Sequence, residues 1–93
     1  MEKDPSKFVR LADGFADVSL SRTAEFAGEK LSSLRMREPT AGDLERFQIG
    51  AGHEATRELN TFANLCEQSP DDIRKLPLRD YQRLQAAYSL FTS

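Results

Sequence analysis

Asp17-Val18-Ser19-Leu20-Ser21-Arg22-Thr23-Ala24-Glu25-Phe26 alternates along its length. Val18, Leu20, Ala24 and Phe26 fall on even positions, with Arg22 among them, while Asp17, Ser19, Ser21, Thr23 and Glu25 fall on odd ones. A period of two sends successive side chains to opposite faces, so this stretch predicts a strand with one buried face. Just beyond it, Ala27-Gly28-Glu29-Lys30 supplies a turn whose glycine can take positive φ. Residues 31–38 resume the alternation, with Leu34 and Met36 on one side and Arg35 and Arg37 on the other. The two runs predict a β-hairpin over about residues 17–37. Two strands are marginal in water, so the apolar face needs a cover.

The cover comes from the C-terminal half. Pro39 ends the second strand, and Thr40-Ala41-Gly42-Asp43 has capping-box spacing with Asp in place of Glu. A first helix is expected to run to about Gln48 and to bury Leu44 and Phe47. Gly50-Ala51-Gly52 interrupts it. A second helix from His53 or Glu54 carries Ala55, Leu59, Phe62 and Cys66 at i, i+4, i+7 and i+11. Ser69-Pro70-Asp71-Asp72 combines an N-cap serine, a proline at the first helical position and acids in the first turn. That helix buries Ile73 and Leu76 and stops at Pro77. A last helix over about residues 78–91 presents Tyr81, Leu84, Tyr88 and Phe91 on one stripe. The fold class is therefore α+β: an N-terminal β-hairpin followed by a small bundle of three to four short helices. On the other side of the hairpin, residues 1–16 read as a flexible arm or an extra strand at 7–12, with a turn at Asp13-Gly14. Residues 17–93 read as a single domain.

Composition narrows the function. A chain of 93 residues with 39% apolar and 30% charged residues suits one small globular domain. Such a chain buries only about 60–65% of its unfolded surface. Thirteen Lys and Arg oppose fifteen Asp and Glu, for a net charge of −2. Binders of nucleic acid usually carry a basic surplus, because phosphate contacts supply most of their affinity, so no nucleic-acid partner is expected. No apolar run approaches the ~20 residues that span a bilayer, and Met1-Glu2-Lys3-Asp4-Pro5 lacks the apolar core of a secretory signal. No membrane partner is expected either.

No residue set selects a catalytic reaction. His53 is the single histidine, and a triad or metal site needs partners for it. Cys66, the single cysteine, sits on the stripe of Leu59 and Phe62 beside Leu65 and Glu67, which suits a small buried hydrophobe better than a reactive thiolate. Gly50-x-Gly52 lacks the remaining elements of a nucleotide loop and reads as a linker. The carboxylates Glu38, Asp43, Glu45, Glu54, Glu58, Asp71, Asp72 and Asp80 are assigned to helix starts or polar faces. Arg35, Arg37 and Arg46 read as a solvated face paired to Glu38 or Glu45. No cofactor, no metal and no enzymatic activity are expected.

Two segments carry a family resemblance. Leu34-Arg35-Met36-Arg37-Glu38-Pro39-Thr40-Ala41-Gly42-Asp43-Leu44 resembles the L-x-L-R-E-P-T-A-G-D-L segment of the phage tail assembly chaperones, the E-type proteins of contractile-tailed phages and their Mu-like counterparts. Ser69-Pro70, Ile73, Leu76, Leu78, Asp80-Tyr81, Leu84 and Phe91 resemble that family's closing pattern. The likeness covers roughly residues 18–92. It implies a non-enzymatic protein that binds the tape measure protein, keeps it soluble during tail assembly, stays in the host bacterial cytoplasm and is absent from the mature virion. It also implies a frameshifted longer form of the same protein as a further partner. A homo-oligomer is compatible with the edge strands. The partner-binding residues expected from the aromatic stripe are Tyr81, Leu84, Tyr88 and Phe91. The alternative is a small helical DNA-binding regulator, since a short helix, the Pro77 turn and a longer helix outline a helix-turn-helix, with Arg79 and Arg83 as the only cations on the last helix.

Overall fold

A computed structural model describes residues 4–92. Pro5–Phe8 form a 3-10 turn capped by Asp4, whose carboxylate accepts from the Ser6 N–H at 3.0 Å. Three strands follow, β1 (Val9–Ala12), β2 (Phe15–Phe26) and β3 (Glu29–Arg37). Four helices come after them, α1 (Ala41–Ile49), α2 (Glu54–Cys66), α3 (Pro70–Arg74) and α4 (Leu78–Thr92). The architecture is α+β, as the patterning predicts. The expected hairpin is the β2–β3 pair of a three-stranded antiparallel sheet in the order β1-β2-β3. Ala27 (φ 53°) and Gly28 (φ 83°) both adopt left-handed backbone between Phe26 and Glu29. Two such residues give the turn whose twist matches that of the flanking strands.

The β2–β3 ladder is interrupted. Ser19 pairs with Ser33 and the next pairing is Ala24 with Leu31, so β2 advances five residues while β3 moves back two. Residues 20–23 therefore bulge against Ser32 alone. A bulge strips ladder hydrogen bonds from the strand that carries it. A carboxylate from α4 takes up one of them: Asp80, fully buried, accepts from the Ser21 N–H at 2.8 Å and from Ser21 Oγ at 3.0 Å. Arg83, one turn further on, donates to the Ser19 carbonyl at 2.8 Å and lies 3.4 Å over the Phe8 ring. The N-terminal turn is thus held against α4.

The core lies between the sheet and the helices. Val18, Leu20, Phe26, Leu34 and Met36 face Phe62, Leu65 and Cys66 of α2, Ile73 of α3, Leu76, and Leu84 and Ala87 of α4. Two sequence expectations change. Leu44 is 48% exposed and Phe47 only half-buried, so α1 does not bury the apolar pair expected of it. Ala55 is exposed, and the stripe of α2 begins at Leu59. Asp43 and Asp80 stand in the first turns of α1 and α4, as expected of helix-start acids, and both are buried there.

Candidate functional site

The strand-to-helix junction is built around Asp43. Pro39 cannot continue the ladder, and Thr40 takes extended backbone (φ −104°, ψ 171°) to start α1. The Thr40 N–H and Oγ1 donate to Asp43 Oδ2 at 2.8 and 3.1 Å, and the Asp43 N–H returns a bond to Thr40 Oγ1 at 3.2 Å. Arg37, the last residue of β3, donates through Nη1 and Nη2 at 2.8 and 3.1 Å. Arg46 adds a bond at 2.7 Å from one turn along α1. The Arg37 guanidinium, joined by Thr40 and Arg46, holds the Asp43 carboxyl well below the usual carboxylate range. Such a group is ionised and saturated, so it acts as a clamp rather than as an acid or base. The pairing of Arg37 and Arg46 to Glu38 or Glu45 is corrected: both share Asp43, because the capping position brings that carboxylate between them. Arg35 pairs with Asp17 at 3.0 Å and stacks 3.9 Å over Phe15.

The clamp inverts α1. With Asp43 turned inward, Leu44 and Ile49 point out, Ile49 at 77% exposure. Sequence periodicity missed this because a buried carboxylate looks like a polar-face residue unless its cationic partners are known to converge.

On α4, Leu84 is fully buried, whereas Tyr81, Tyr88 and Phe91 are half-buried and pack against the core. Phe62 brings two of them together, its ring centroid 5.5 Å from each of Tyr81 and Tyr88. The Tyr81 hydroxyl donates to Glu58 at 2.8 Å, and Gln85 Nε2 donates to the same oxygen at 3.0 Å. Burial, with Glu58 as acceptor, pushes the Tyr81 phenol well above its ordinary value, so it is a fixed donor. Beside Tyr81 lies a groove of about 340 Å³ lined by Leu59, Ile73, Leu76 and Leu78, the last 69% exposed. Of the four residues expected to bind a partner, Tyr81 lines this groove, whereas Leu84, Tyr88 and Phe91 lie outside its lining.

The remaining candidates are placed as follows. His53 is the exposed N-cap residue of α2 and makes no side-chain capping bond. Cys66 is buried, and burial pushes its thiol up to about 12. Arg83 is turned inward onto β2 and Phe8, which leaves Arg79 as the outward cation of the pair on α4. Among the described residues no group of three or more His, Cys, Asp or Glu is arranged to hold a metal ion, and no helix is long and apolar enough to cross a membrane.

A family model for phage tail assembly chaperone proteins, E, or 41 or 14, matches residues 17–93, and the chain belongs to that family. The match opens two residues into β2, so it takes in the β2–β3 hairpin and all four helices and leaves β1 outside. The family is the one that residues 34–44 and the closing pattern resemble. No curated protein and no solved structure matches the chain.

Proposed function

We propose that this chain binds the tape measure protein of its own phage and keeps it soluble while the tail is assembled, without catalysing a reaction. The observation that carries the reading is the apolar surface left open on a chain of this family. Leu44 and Ile49 project from α1, and Leu78 rims the groove of Leu59, Ile73, Leu76 and Tyr81. Exposed apolar surface on a small domain marks a contact site, and a groove between helices suits the apolar stripe of a partner helix. The contact runs from Leu78 along Tyr81, Tyr88 and Phe91, with Leu84 as its buried support. The protein works by mass action in the host cytoplasm and leaves before the virion is complete. A frameshifted longer form of the same protein is a further partner.

The test is co-expression of the tagged chain with that tape measure protein, followed by size separation of the eluate. A soluble complex that is lost when the chain is omitted is the expected result. An insoluble tape measure protein beside free chain overturns the proposal.

A further inference from the structure

α1 and α2 meet at a second, polar cleft of about 260 Å³ whose walls include Asp43, Arg46, Arg57, Asn60 and Asn64. Its charges do not cancel. Asp43 is already bonded by Arg37, Thr40 and Arg46, and two guanidinium groups, Arg46 and Arg57, share the cleft with that one carboxylate. Arg57 is held in place by the linker between the helices, where its Nη1 donates to the Gly52 carbonyl at 3.2 Å. Gly50 makes room for it, because a Cβ there would stand 2.9 Å from the Arg46 carbonyl oxygen and 3.3 Å from Arg57 Cδ. Among the described residues Arg57 Nε is a buried nitrogen with no hydrogen-bond partner. A buried cationic N–H without an acceptor is costly, so Arg57 gains when its side chain turns to an acceptor that enters the cleft. The neighbouring Asn60 and Asn64 amides stand one helical turn apart on the exposed side of the same wall.

We propose that this cleft binds a single carboxylate, presented by an acidic side chain of the protein partner. The identity of that partner rests on the chaperone reading above. Planar guanidinium groups match a carboxylate through paired, charge-assisted bonds. Arg37 and Arg46 are both engaged on Asp43, whereas Arg57 donates to the Gly52 carbonyl and pairs with no carboxylate, so one guanidinium is left to be met, which favours a monoanion over dianionic phosphate.

The first test needs no partner. The full chain, labelled with nitrogen-15, is titrated with sodium acetate and separately with inorganic phosphate, at neutral pH and constant ionic strength. Saturable shifts are expected at Arg57 Nε–H and at the Asn60 and Asn64 side-chain amides, at lower concentrations for acetate than for phosphate. Arg57→Gln should raise the half-saturation concentration about tenfold, the loss of one charge-assisted bond. Where Arg57→Gln disturbs the backbone spectrum, Arg46→Gln at the exposed rim gives the same reading. An unmoved Arg57 Nε–H resonance, tighter binding of phosphate, or variants that titrate like the parent each overturns the proposal. In co-purification with the tape measure protein, Arg57→Gln should loosen the complex. An undiminished complex, with acetate binding lost, overturns the assignment of the carboxylate to the partner. Failure to form any complex with the parent chain instead counts against the chaperone reading, and the titration stands apart from it.

Discussion

At the scale of single residues, Asp43 accounts for the junction that residues 37–44 encode. It is 3% exposed and answers two arginines, a capping threonine and its own helix N-terminus. Breaking a buried ion pair costs about 3–5 kcal/mol, and the partial exposure of Arg37 and Arg46 lowers that. Asp43→Asn should therefore destabilise the fold by about 2–3 kcal/mol in urea unfolding. The sign with pH follows from the depressed carboxyl: its contribution is complete above about pH 4, the range of an unfolded aspartate, and is lost as pH falls through the folded value. Acid unfolding of Asp43→Asn should show a shallower fall in that range than the parent. Cys66 gives a second expectation. Its thiol, pushed up to about 12 by burial, stays protonated in the folded chain. A thiol reagent at mildly alkaline pH should react only as fast as the chain opens, and reaction at the rate of a free thiol would contradict the burial.

Elements carry the next set of consequences. The bulge of β2 and the first turn of α4 are fitted to each other through Ser21 and Asp80. Asp80→Ala leaves the Ser21 N–H without its acceptor, and should cost about 2–3 kcal/mol and speed hydrogen exchange at Ser21. An unchanged Ser21 exchange rate would show that the bulge does not depend on α4. The helices differ among themselves. Phe62→Ala, in a side chain 1% exposed between two tyrosines, should cost about 3–5 kcal/mol, whereas Leu44→Ala, at 48% exposure, should stay within about 0.5 kcal/mol. Equal costs in thermal unfolding would put Leu44 back in the core.

This contrast marks where the sequence was readable. Strict alternation in 17–26, the Ala27-Gly28 turn and the Ser69-Pro70 cap are local signals, and the elements stand where those signals put them. The inversion of α1 and the burial of Asp80 depend on partners distant in sequence. Asp80 answers Ser21, 59 residues away. Arg57 and its empty hydrogen-bonding position were equally invisible, since nothing local distinguishes that arginine from a solvated one.

At the scale of the whole molecule, the sheet and helices bury one core and leave two hollows along α2. One is the apolar groove beside Tyr81, and the other is the polar cleft at Arg57. The groove is where stability and function should separate, because Leu78 at 69% exposure contributes little to the core. The most direct measurement is the soluble yield of the tape measure protein co-expressed with the parent chain and with Leu78→Asp. A soluble complex is expected with the parent, and a loss of that complex with Leu78→Asp while the variant itself stays folded. A tape measure protein that is equally insoluble with and without the parent chain would contradict it.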